Sequence, residues 1–112
     1  MPNYKDWEKF ADGSSGDIEL EKAWLRQVAD IFDVFRLKQR SYGPMNIAKF
    51  GELGVMVRTS DKLERLVNLI MNNLDNPLAD ESLDDTWIDL ADYGIIAMLC
   101  RKGAWPHLDT GE

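Results

Sequence analysis

A chain of 112 residues and 12.8 kDa has room for one domain, and its 45% hydrophobic and 29% charged content excludes wholesale disorder. Its 20 acidic residues against 13 basic ones leave a formal net charge of −7 and a pI near 4.6. That balance repels a phosphate backbone, and with no run of Lys and Arg it disfavours duplex DNA or RNA binding as the main role.

In chain order, residues 1–16 hold three aromatics and close with ADGSSG, which reads as an N-terminal arm on a flexible joint. From Asp17 onward Ile18, Leu25, Val28, Phe32 and Phe35 keep to one helical face, predicting a helix over about 17–40. Gly43 and Pro44 in SYGPMN end it. The helical pattern resumes at Met45 through IAKF, with a kink or break expected at Gly51 and Gly54. Leu63, Leu66, Val67, Ile70 and Leu74 then form a stripe that predicts a helix over about 55–74. A connection, NNLDNPLADES, leads to a last helix over about 81–101, with Asp80 or Ser82 as its cap. Leu83, Trp87, Leu90, Gly94 and Met98 share one face of that helix, and Ile96 and Leu99 lie on another, so a buried helix is expected. The segment from Gly103 reads as a frayed tail. The domain is therefore residues 17–102, all-α and four-helix-bundle-like. Three long helices in so short a chain often complete their core by self-association, so a homodimer or homotetramer is expected.

The chemistry resides in two short acidic pairs, Asp61 with Glu64 and Asp89 with Asp92. On a helix, i,i+3 spacing puts both side chains of a pair on one face, about 5–6 Å apart at Cβ, so two packed helices could converge four oxygen donors. Hard cations take such sites, and Mg²⁺ or Mn²⁺ held by carboxylates is a common device for handling nucleotide phosphates. The plain alternative for both pairs is a solvated helix face. For Asp61 and Glu64 it is strengthened by Lys62 and Arg65 close by, and for Asp89 and Asp92 it is weakened by the apolar helix that carries them. Asp85, one turn before Asp89, and Glu81 are candidate auxiliary acids, although negative charge there also complements the helix dipole. Arg58, Lys62 and Lys38 are candidate phosphate ligands, and Lys49 is a further base. Asn68, one turn beyond Glu64, and Asn46, beside the Gly43–Pro44 break with Tyr42, could hold a base or phosphate. For all of these an ordinary surface role is the competing account.

Other chemistries lack their parts. The one histidine, His107, lies in the tail, so a zinc-protease helix and a Ser, His, Asp triad are both ruled out. No GxxxxGKS or GxxxxGKT phosphate loop occurs. Cys100 follows an apolar run and reads as a packing residue. A lone cysteine excludes an internal disulfide and, with no signal-peptide core in MPNYKDWEKF and no apolar stretch of membrane-spanning length, a reduced, cytoplasmic setting is expected.

The run YGPMNIAKFGELGVMVRTSDKLERLVNLI followed by DESLDDTWIDLADYGIIA, covering about residues 42–97, is similar to a phage and bacterial family called nucleotide modification associated domain. More distantly, the two acidic pairs resemble the ExxE and ExxD helix motifs of the all-α nucleoside triphosphate pyrophosphohydrolases, the MazG and dimeric dUTPase superfamily. The chain departs from that pattern in having Asp at positions 61 and 89, and it lacks the doubled Glu that opens the first motif. The resemblance implies a helical bundle assembled as a dimer or tetramer, with Mg²⁺ between helices and a triphosphate cut between its α and β phosphates. It makes Asp61, Glu64, Asp89 and Asp92 the metal ligands, and Glu64 with Asp89 the catalytic pair. The expected activity is hydrolysis of a (d)NTP to (d)NMP and pyrophosphate, acting on the nucleotide pool of a phage or bacterial system. The competing expectations are a non-catalytic nucleotide-binding or regulatory module, and an acidic protein that occupies a host factor's basic surface.

Overall fold

The computed structural model describes residues 4–43, 49–72 and 79–106, and among them all regular secondary structure is helical. The chain divides into two compact units, Met1–Ser41 and Tyr42–Glu112.

In the first unit, α1 (Tyr4–Trp7) runs into a 3₁₀ turn (Glu8–Phe10) and is followed by α2 (Ile18–Tyr42). Asp17 caps α2: its Oδ1 accepts the Leu20 N–H at 3.0 Å, while its carbonyl accepts the Glu21 N–H at 3.1 Å. The ADGSSG segment, expected as a flexible joint, is tied down by a carboxylate. Glu21 accepts the N–H groups of Asp12 at 3.0 Å and of Gly13 and Ser15 at 2.9 Å each, together with the Ser15 hydroxyl. Gly13 and Gly16, at φ of 80° and 95°, provide the left-handed turns that wrap the backbone round that carboxylate. The aromatic arm is anchored to α2 as well. Trp7 packs on Phe32 with ring centroids 5.8 Å apart, and Arg26 pairs with Glu8 at 2.9 Å.

The buried line of α2 is centred on Ala29 and Asp33, an i,i+4 pair; Ile18 and Phe32 of the expected apolar face stay partly open. α2 stops at Tyr42 and Gly43 takes φ of 75°, so the break read at Gly43 and Pro44 is where the helix ends. Residues 44–48, which include Asn46 and the first part of the resumed pattern, lie outside the described residues.

In the second unit, α3 (Gly51–Leu66) continues into one π-helical stretch (Val67–Met71), and α4 spans Ala79–Arg101. Gly51, at φ of 65°, opens α3, and the helix then passes unbroken through Gly54, so the expected kink becomes a helix start. α4 begins earlier than expected. Asp80 and Ser82 therefore lie inside its first turn, and their side chains lie outside the description.

α3 and α4 pack along one another in antiparallel sense: Glu52 at the start of α3 pairs with Arg101 at the end of α4 at 3.1 Å, and Lys62 meets Asp89 at 2.9 Å. The side of α3 toward α4 is the line Val55, Thr59, Lys62 and Leu66, at i, i+4, i+7 and i+11. From α4 come Thr86, Tyr93 and Ile96, all buried. Both apolar stripes read from the sequence are thereby displaced. Leu63, Val67 and Ile70 remain about half exposed, as do Trp87 and Met98, so α4 is not the all-round buried helix expected. Leu74 lies outside the described residues.

Of the tail expected to fray, residues 103–106 are ordered by the end of α4, and residues 107–112, with His107, lie outside the described residues. Gly103, at φ of 69°, donates its N–H to Cys100 O at 3.1 Å, and Ala104 donates to Leu99 O at 2.9 Å, a Schellman cap that turns the chain back and buries Trp105.

Candidate functional site

With the line Val55, Thr59, Lys62 and Leu66 toward α4, about 100° per residue sets the direction of every other α3 side chain. Arg58, Asp61 and Arg65 fall on one flank of the α3–α4 pair. Asp85, Asp89 and Asp92 fall on the corresponding flank of α4, and the Lys62–Asp89 contact at 2.9 Å marks where the two polar flanks meet. The opposite flank is apolar and carries an open groove of about 430 Å³.

The second acidic pair is withdrawn from water. Asp92 is 7% exposed, and the side chain of Asp89 is 14% exposed with the Lys62 ammonium against it. A solvated helix face does not describe these two. The first pair is placed differently: Asp61 and Glu64 are both exposed, and Glu64 lies on the side of α3 turned away from α4. Within one α3–α4 pair, Glu64 therefore does not come together with Asp89 and Asp92. Among the described residues no group of three or more His, Cys, Asp or Glu side chains stands where it could hold a metal ion. Compared with known proteins, the chain matches no family model, no curated protein and no solved structure.

Of the phosphate candidates, Arg58 is exposed on the polar flank, and Lys62 is engaged by Asp89. Lys38 is exposed on α2. Asn68 is exposed, and its Oδ1 accepts the Asn72 side-chain amide at 2.9 Å, which binds it into a local pair. Asp85 is exposed, Lys49 lies 5.8 Å from the Phe50 ring, and the side chain of Glu81 is outside the description.

Two buried polar side chains were not singled out from the sequence. Thr86, 1% exposed, sits on the α3-facing line of α4; its spacing to Tyr93, i,i+7, is the signal that could have placed it. Asp33 is buried in α2 with Arg36 at 4.0 Å, and it shares the i,i+4 line of Ala29. Cys100 is part-buried, and burial, reinforced by the negative charge of Glu52, pushes its thiol above the ordinary range. Both effects keep it protonated and unreactive, in line with a packing role.

Asp89 and Asp92 are carboxylates on one flank of one helix, and Asp89 holds the Lys62 ammonium at 2.9 Å; carboxylate oxygen is the donor type that hard cations such as Mg²⁺ take.

Proposed function

We propose that the chain is a metal-dependent nucleoside triphosphate pyrophosphohydrolase, converting a (d)NTP to (d)NMP and pyrophosphate in the nucleotide pool of a phage or bacterial cytoplasm. The reading rests on the resemblance to the nucleotide modification associated domain family and, through it, to the MazG-type bundles. It includes a four-helix-bundle-like core completed by oligomerisation. The observation that carries it is the Asp89–Asp92 pair, withdrawn from water with a cation held against Asp89. Carboxylates withdrawn from water side by side favour positive charge close to them.

Asp89 and Asp92 would hold Mg²⁺ or Mn²⁺, with Asp61 and Asp85 on the same flank, while Glu64 is turned away from them within one α3–α4 pair. When bound, the ion supplies positive charge over the phosphates and a more acidic water. Lys62, released from Asp89, is then free to meet a phosphate oxygen, and Arg58 steadies the departing pyrophosphate through its forked donors. The test is incubation with a panel of nucleoside triphosphates, with and without Mg²⁺ or Mn²⁺, resolving pyrophosphate from orthophosphate. Pyrophosphate release that requires the metal and disappears in Asp92→Asn is the expected result; orthophosphate release, or turnover untouched by Asp92→Asn, counts against the reading.

The position of Glu64, turned away from the second pair, favours one alternative: a nucleotide-binding module without turnover. Equal nucleotide affinity in the wild type and Glu64→Gln, with no pyrophosphate from either, is its signature.

A further inference from the structure

Between the aromatic arm and α2 the chain reverses round one side chain. Both oxygens of the Glu21 carboxylate are filled: Oε1 accepts the N–H groups of Asp12 at 3.0 Å and Gly13 at 2.9 Å, and Oε2 accepts the N–H of Ser15 at 2.9 Å together with its hydroxyl. An ionised carboxylate accepts at about four lone-pair sites and donates at none, so these four donors saturate it. Its charge makes each bond stronger than a neutral one.

The arm itself, Tyr4–Phe10, is far shorter than the about 12–15 residues at which an isolated helix becomes even marginally stable. Its side chains meet α2 where Trp7 packs on Phe32, with ring centroids 5.8 Å apart, and where Glu8 pairs with Arg26 at 2.9 Å. One tilted aromatic pair and one partly exposed ion pair are weak fastenings. They engage because the chain turns back between Phe10 and Ile18, through left-handed Gly13 and Gly16 and the bonds to Glu21. α2 has no such dependence: it runs for 25 residues and keeps its own cap, the Asp17 carboxylate on the Leu20 N–H.

The ionisable groups in the elements that meet Glu21 are Asp12 and Asp17 in the loop, Glu8 and Lys9 in the 3₁₀ turn, and Glu19, Lys22 and Arg26 on α2. Lys22 lies 3.6 Å from Glu19, and Arg26 is engaged by Glu8. Asp12 accepts the Ser14 N–H at 2.9 Å. The bonds from Ser15 and Gly13 hold the Glu21 carboxyl below its usual value of 4.5. Protonation turns one of its oxygens into an O–H donor, set against backbone donors that have no second partner to offer.

We propose that Glu21 is a proton-operated latch for the aromatic arm: charged, it fastens residues 4–16 to α2; neutral, it lets them leave together and uncovers Phe32, while α2 stays helical. The latch lies wholly within the first unit and does not depend on the nucleotide reading.

Peptide-resolved hydrogen exchange of the full chain, corrected for the intrinsic pH dependence of exchange, tests it. In the wild type, residues 6–16 should lose protection together as pH falls below 4.5, with peptides over 25–40 still protected. At pH 7, Glu21→Gln should already exchange at residues 8–16 at least about tenfold faster, since the loss of one charge-assisted bond is enough for that. Trypsin should cut it after Lys9 faster by a similar factor. Asp12→Asn keeps an acceptor for the Ser14 N–H and should leave the acid profile unchanged. Circular dichroism establishes that each variant is helical; if Glu21→Gln is not, Ser15→Ala decides, because losing the hydroxyl should move the acid midpoint up toward 4.5. Acid opening that survives Glu21→Gln, or disappears in Asp12→Asn, overturns the proposal. So does a Glu21→Gln loop that opens while residues 6–10 and the Lys9 site stay closed, because Glu21 then orders a turn and nothing more. Loss of protection in α2 together with the arm is general acid unfolding, and equally overturns it.

Discussion

Replacing Lys62 with Met removes a cation that the structure holds against the acidic pair of α4. The ammonium lies 2.9 Å from Asp89, with side-chain exposures of 28% and 14% for lysine and aspartate. At that distance and an effective dielectric near 20, the gross attraction is about 6 kcal/mol. Most of this is offset by taking two ions partly out of water. Exposed pairs measure about 0.2–1 kcal/mol, and truncating one member of a fully buried pair costs about 3–5 kcal/mol. A pair of intermediate burial belongs between, so Lys62→Met should destabilise the fold by about 1–2 kcal/mol in urea denaturation. Asp89→Asn should cost a similar amount and the double variant no more than either alone, giving a coupling of about 1–2 kcal/mol.

Metal provides the second half of the test. If Mg²⁺ competes with the ammonium for Asp89, Lys62→Met should bind it more tightly, and a tenfold gain adds up to about 1.4 kcal/mol of stabilisation at saturating metal. A coupling below about 0.3 kcal/mol would show that the ion pair contributes nothing beyond its surroundings. An identical Mg²⁺ response in the wild type and Lys62→Met would falsify the claim that Asp89 is the metal's anchor.

Two further outcomes follow from Glu21 and Cys100. The hydrogen bonds of Ser15, through its hydroxyl and its N–H, and of the Gly13 N–H hold the Glu21 carboxyl below the usual glutamate value of 4.5. A group depressed in the folded state contributes stability that is complete above its unfolded pKa and lost as pH falls through the lower folded value. In the wild type the loop over residues 12–16 should therefore be protected from hydrogen exchange at neutral pH and open only under acid conditions below pH 4.5, whereas Glu21→Gln should show it open throughout. An acid profile unchanged by Glu21→Gln assigns the loop's order to something else. For Cys100, the raised thiol predicts alkylation slower than for a free cysteine at pH 8, becoming normal in denaturant. Rapid labelling of the folded chain would contradict the burial from which that shift arises.

The helices themselves were legible because their ends carry strong local chemistry. Asp17 supplies a cap, Gly43 a left-handed stop, and apolar periodicity over long spans does the rest. What misled was the assumption that the most apolar stripe is the buried one. On α3 the line that meets α4 contains Thr59 and Lys62, and on α4 it contains Thr86, residues that a hydrophobicity pattern discounts. Thr59 is accommodated because its hydroxyl donates back to the Val55 carbonyl at 2.9 Å, which removes the cost of burying it. Lys62 is accommodated by Asp89, a partner in a distant segment that no local spacing reveals. The acidic spacing was readable as a pair on each helix. The direction of each pair depends on which flank its helix buries, and that is a tertiary fact: it turns Asp89 and Asp92 inward and Glu64 outward.

The same rotation that exposes Leu63 and Val67 brings Lys62 onto Asp89, so the apolar flank and the polar flank of the α3–α4 pair are fixed together. A small turn of α3 that buried Leu63 would carry Lys62 away from Asp89, and the part-buried carboxylate would lose that contact. The cost of that loss holds α3 in a register that leaves an apolar strip open on the other side. Such a strip persists in a soluble chain when something else covers it. On this argument Lys62→Met, by removing the constraint on rotation, should weaken the proposed self-association as well as stability. An Asp89→Asn, Lys62→Met pair with undiminished dimer affinity would separate the two flanks and show that α3 is held by its apolar contacts alone.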